Sequence, residues 1–120
     1  MAPVTNIEQS IHIKAKLFRG FSDPSRLMII EALREGKKSV GELVEITGLS
    51  QPNVSNHLRC LADCDLVISE RDGRYVNYQL RDERIDQILN LSEKLLSEAA
   101  RGVFECTRYE SADDATPIEE

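Results

Sequence analysis

GLSQPNVSNHLRCLADCDLVISERDGRYVNYQL, residues 48–80, changes its hydrophobic period part-way along, and that change decides the fold. In its first half Val54, Leu58 and Leu61 recur at helical spacing as a narrow apolar stripe. Ser50 stands at the N-cap position of this helix, and Pro52 suits its first turn. From Leu66 the pattern alternates. LVISER and RYVNYQL are rich in β-branched and aromatic residues and flank Asp72-Gly73. That dipeptide predicts a tight hairpin of type I′, which needs positive φ at both central positions.

Upstream, SVGELVEITG (39–48) predicts a short helix that Ser39 and Glu42 open as a capping box and Gly48 ends. With Leu49 as the only residue between Gly48 and the Ser50 cap, the two helices make a helix-turn-helix. SDPSRLMIIEALREG (22–36) predicts a helix capped by Ser22 or Asp23, with Pro24 in its first turn and Gly36 beyond its end. TNIEQSIHIKAKLFRG (5–20) places Ile7, Ile11, Ala15 and Phe18 on one helical face, with Gly20 as its expected stop. After the hairpin, Asp82 can cap a long helix reaching about Val103, with Ile85, Ile88, Leu89, Leu95 and Leu96 on its apolar face. The order predicts a mainly α fold with a β-hairpin, a winged helix-turn-helix with additional N- and C-terminal helices. Residues 1–110 are expected to form this one folded domain, and residues 111–120 an acidic, disordered tail.

Composition narrows the function. One domain of 120 residues carries a net charge of −6, which argues against a nucleic-acid partner unless basic groups gather at the contact. Four of the acids lie in the terminal SADDATPIEE, and the rest of the chain carries only −2. No apolar run is long enough to span a bilayer, and MAPVTNIEQS lacks the basic and apolar regions of a secretory signal. The cytoplasm is the expected compartment, with no membrane partner. There the three cysteines are expected to be free thiols. No Gly-rich phosphate loop and no nucleophile–base–acid set is present, so an enzyme is not expected.

Ser50, Gln51, Asn53, Ser55, Asn56 and His57 gather hydrogen-bonding side chains at the start of the second helix of the pair, where a recognition helix meets base edges. Arg71 and Arg74 at the hairpin tip suit phosphate or minor-groove contacts. A solvated helix face and an ordinary turn would look similar residue by residue; their order along the chain favours DNA.

SQPNVSNHL and the RDGRYVNY wing resemble the ArsR/SmtB family of metal-responsive repressors, in a match covering about residues 15–105. The resemblance implies a homodimer on an inverted-repeat operator in double-stranded DNA, with the terminal helices forming the dimer interface. It also implies Ser50, Gln51, Asn53, Ser55 and His57 as major-groove contacts, and Arg71 and Arg74 as contacts of the wing.

Cys60 and Cys64 are one helical turn apart and lie about 40° apart around the axis, close enough for both sulfurs to reach one ion. On the wheel they group with Asn53 and His57, away from the apolar stripe, so they are expected to be exposed. A buried, inert thiol is the ordinary alternative. Two ligands hold a soft ion poorly, and Cys106 in GVFECTRYE is the remaining cysteine, with an incidental tail thiol as its bland reading.

Within the family, one type of sensing site uses a cysteine pair at the start of the third helix, where this chain has Ser39 and Gly41. Another uses acids and histidines along the last helix, and this chain has only His12 and His57. RCLADC (59–64) resembles the CmtR-type cadmium/lead-sensing branch, which implies Cys60, Cys64 and Cys106 as metal ligands, with the partner protomer favoured as donor of Cys106. Three thiolates suit a soft divalent ion, cadmium or lead. Zinc remains open if His57 completes a tetrahedral set, as does trivalent arsenic. Two further classes stay in view, a thiol-based redox repressor of the same fold and a winged helix that binds protein.

Overall fold

The computed structural model describes residues 6–106, and the expected tail at 111–120 lies outside them. The elements run α1 (Ile7–Ser22), α2 (Pro24–Leu33), β1 (Lys38–Ser39), α3 (Val40–Thr47), α4 (Gln51–Asp63), β2 (Val67–Asp72), β3 (Tyr75–Leu80) and α5 (Glu83–Glu105). Contacts divide the chain into two compact units, Met1–Asp86 and Gln87–Glu120.

The first unit holds the winged helix. Its core is apolar: Ile29, Ile30, Ala32 and Leu33 from α2, Leu43 from α3, Val54, Leu58 and Leu61 from α4, then Leu66, Val67 and Ile85. Burial of each larger side chain contributes roughly 1.5–3 kcal/mol. α2 is buried around more of its circumference than an i, i+3 pattern suggests, because neighbouring Ile29 and Ile30 are both inaccessible. α1 contributes no buried residue, and Ile7, Ile11 and Phe18 lie open.

The caps are as expected at most ends. The Asp23 side chain accepts the Arg26 N–H at the start of α2. Ser39 Oγ accepts the Glu42 N–H at 3.2 Å while the Glu42 carboxylate accepts the Ser39 N–H at 2.8 Å, which completes the capping box. Gly48 closes α3 at φ +75°, in the left-handed region, and its N–H donates to Val44 O. Thr47 tightens the turn: its Oγ1 donates to Leu43 O at 2.7 Å and accepts the Leu49 N–H at 3.2 Å.

Three expectations are corrected. α1 does not stop at Gly20; it begins after Asn6 and runs to Ser22. A Cβ at residue 20 would lie 2.9 Å from Leu66 Cδ1, so Gly20 serves close packing and not termination. The hairpin turn is Gly73-Arg74, one residue later than expected, since Asp72 pairs with Tyr75. Only Gly73, at φ +67°, is left-handed there, which fits a type II′ turn and not type I′. Finally, the wing is a three-stranded sheet of order β1-β3-β2, because Lys38 and Ser39 pair antiparallel with Tyr78 and Asn77.

At the entrance to α5, the Asp82 carboxylate accepts the Arg84 N–H at 2.8 Å and pairs with its guanidinium at 2.8 and 3.0 Å. These bonds hold the Asp82 carboxyl well below its ordinary 3.8, down to about 2. A depressed carboxylate stabilises the fold fully above its unfolded value and loses that contribution as pH falls through the folded value. Unfolding of wild type and Asp82→Asn should therefore differ most above pH 3.8 and converge as pH approaches 2, a result that urea titrations at several pH values would check.

In the second unit α5 continues to Glu105 and leaves Leu91, Leu95, Leu96, Val103 and Phe104 exposed. No helix among the described residues is long and apolar enough to cross a membrane.

Candidate functional site

Burial of Val54, Leu58 and Leu61 fixes which way α4 faces. Ser50, Gln51, Asn53 and Asn56 are exposed, while Ser55 and His57 are half-buried at the flanks of the apolar stripe. Ser50 Oγ already accepts the Asn53 N–H at 3.3 Å, so this hydroxyl caps the helix and keeps its proton for an acceptor beyond it. Arg59 stands exposed with Asn56 on the side opposite the stripe, and it is the single Lys or Arg of α4. Arg59 lies beyond the helix start, where base-edge contacts are expected, and its signal in the sequence is a spacing of about a half-turn from the apolar stripe.

The wing brings Arg71 and Arg74 to one tip. Arg71 faces Val76 across the ladder, and Arg74 occupies the turn. Arg71 Nη1 leans on Gly73 O at 3.5 Å, and Arg74 has no ion-pair partner among the described residues. Glu70, next to Arg71, is paired with Lys37 at 3.1 Å, which offsets an acid beside the basic tip.

Cys60 and Cys64 are both exposed, as expected of residues off the apolar stripe. Cys60 lies in the last turn of α4, whereas Cys64 is the C-cap at which the helix stops, with φ −92° and ψ 6°. The Cys64 N–H still donates to Cys60 O at 3.1 Å, so the pair keeps its one-turn separation. Cys106, in the second unit just beyond α5, is half-buried, and its N–H donates to Val103 O at 3.3 Å. Among the described residues of the chain, no group of three or more His, Cys, Asp or Glu side chains gathers into a metal site. His12 is exposed on α1.

A three-helix core carrying an exposed polar α4 and a basic-tipped hairpin defines a winged helix-turn-helix DNA-binding module. The family model of bacterial regulatory proteins of the arsR family matches residues 23–69, from the cap of α2 into β2. The "Probable mercury resistance operon repressor" of Streptomyces lividans is 38% identical over 94 residues, covering 78% of this chain and 75% of that protein. The chain therefore belongs to the arsR family of bacterial regulators. The regulator CmtR of Mycobacterium tuberculosis is 43% identical over 75 residues, and the match spans 62% of this chain and 64% of CmtR. The NMR structure of that protein, described as a cadmium metal-sensor, superposes with a TM-score of 0.57 over 63% of this chain and 79% of that one, at 42% identity. A homodimeric winged helix-turn-helix domain from Mycobacterium bovis gives a TM-score of 0.73 over 85% of this chain and 95% of its own, at 21% identity, which bears on the fold alone. The matched relatives carry names of transcriptional regulators and repressors.

Proposed function

We propose that this protein is a cytoplasmic, homodimeric repressor that leaves its operator when a soft metal ion binds cysteine thiolates. The observation that carries the reading is the position of two exposed thiols, Cys60 and Cys64, at the end of the helix whose other end presents Ser50, Gln51, Asn53, Ser55 and His57. An ion held at one end of α4 acts on the same rigid rod that must meet base edges at the other.

Exposure and one-turn spacing fit a thiolate pair, and thiolate donors select soft ions. Cadmium and lead fit this donor chemistry, and the mercury and cadmium in the descriptions of two relatives support the same class. Cys106 is the third ligand of the proposal, supplied by the partner protomer, whose terminal helices cover the exposed apolar faces of α1 and α5. His57 is assigned to DNA. Arg59, Arg71 and Arg74 supply phosphate contacts on an inverted-repeat duplex, and these make binding salt-dependent.

A coupling of ~1–3 kcal/mol between ion and operator weakens DNA binding roughly 5- to 150-fold, and by linkage DNA weakens metal binding equally. Titration of the protein–operator complex with cadmium, following anisotropy and the thiolate-to-metal absorbance together, should give that loss at one ion per site. Unchanged operator affinity at saturating cadmium defeats the reading. Release by mild peroxide with no response to metal would assign the thiols to redox sensing instead.

A further inference from the structure

The segment that follows Cys64 is unusual in three respects. Asp65 has φ +62°, the only non-glycine residue with positive φ among those described. Aspartate tolerates this left-handed well better than most residues, but the well is narrow and leaves little slack. Leu66 then closes the end of α4, its N–H donating to Leu61 O at 2.9 Å beside the Asp65 N–H to Ala62 O bond at 3.0 Å, in the pattern of a Schellman cap.

The same two residues are gripped from outside the helix. Arg81, at the foot of β3, reaches the Asp65 carboxylate with Nη1 at 3.2 Å, and its own N–H donates to Leu66 O at 3.0 Å. Leu66 is buried, with its Cδ1 against α1 at Gly20, where a Cβ would stand 2.9 Å away. One step past the exposed thiol, the backbone is thus joined at once to the recognition helix, to the return strand of the wing and to α1.

From this we infer that Asp65 and Arg81 are positioning residues, which carry displacement of Cys64 into the wing. The inference rests on the proposed metal-responsive function. Cys64 has an exposed side chain and is itself the C-cap of α4, so a pull on its sulfur acts on the main chain where the helix ends. A glycine at 65 would take up the shift by turning through its wide φ range. Aspartate in its narrow well, clasped by Arg81, hands the shift on to Leu66 and to the strand bearing the wing. The pair is solvent-exposed on both sides, so its part is geometric and its contribution to stability small.

The test compares wild type with Asp65→Asn, Asp65→Gly, Arg81→Gln and the double variant Asp65→Asn/Arg81→Gln. Operator affinity without and with saturating cadmium is measured by anisotropy, and cadmium affinity by thiolate-to-metal absorbance. Each variant should bind metal-free operator and cadmium within about twofold of wild type. The ratio of the two operator affinities should fall about three- to fivefold in Asp65→Asn and Arg81→Gln, no further in the double variant, and furthest in Asp65→Gly. An unchanged ratio in the variants, with a wild type that does respond, overturns the positioning role alone. A loss of metal-free operator affinity confined to Arg81→Gln makes Arg81 a DNA contact and likewise overturns it. A wild type that binds cadmium with no change in operator affinity defeats the sensor reading itself.

Discussion

With serine at both 60 and 64, the operator complex is expected to ignore cadmium at concentrations that dissociate the wild-type complex. Both sulfurs are exposed, so the exchange to hydroxyl removes no core packing and should leave the metal-free fold and its operator affinity nearly unchanged. A hydroxyl is a hard, protonated donor and a poor substitute for thiolate toward a soft ion. The whole coupling should therefore vanish, a change of roughly 5- to 150-fold in the metal-loaded operator affinity. Cys106→Ser sorts the ligand set further. If that thiol completes the site, it too abolishes the response; if two thiolates and another donor suffice, the absorbance band weakens while release persists. Parallel absorbance and anisotropy titrations of the variants read both quantities.

Leu58→Ala should cost about 2–5 kcal/mol of unfolding free energy. Leu58 is 1% exposed and sits between Val54 and Leu61 in the strip by which α4 is seated on the core. Truncation there removes apolar burial and leaves a cavity in a unit whose total stability is of the order of 5–15 kcal/mol. The expected loss is thus a large fraction of the whole, visible as a lowered urea midpoint at fixed protein concentration. Operator binding should weaken with it, because a loosened α4 no longer holds its polar end in one orientation. Val54→Ala, a smaller truncation on the same strip, should act in the same direction by less.

The period of Val54, Leu58 and Leu61, the Ser39–Glu42 box and the glycine at 48 are local signals, and the structure realises each of them locally. The two-residue strand at Lys38–Ser39 has no such signal. It exists only because Tyr78 and Asn77 arrive beside it, some forty positions later. The turn at 73–74 escapes the local pattern for a related reason: Asp-Gly satisfies a I′ turn in isolation, whereas the pairing of Asp72 with Tyr75 assigns the glycine to the first central position. Gly20 reads as a helix stop until Leu66 is seen against it. In the candidate site, exposure of Cys60 and Cys64 followed from the helical wheel, but the end of α4 at Asp63 and the left-handed Asp65 did not. Arg81, just past the wing's return strand, binds both Asp65 and Leu66 there, a pairing with no local signal.

α1 offers a last consequence. Sixteen residues form a marginal helix by themselves in water, and this one has no fully buried residue, leaving Ile7 77% and Phe18 59% exposed. If a second copy is what shelters that strip, as proposed, then order in α1 and tenancy of the operator rise and fall together with how much of the protein the cell makes. The threshold of such a switch is set by copy number as well as by the ion, and scarcity alone would lift repression.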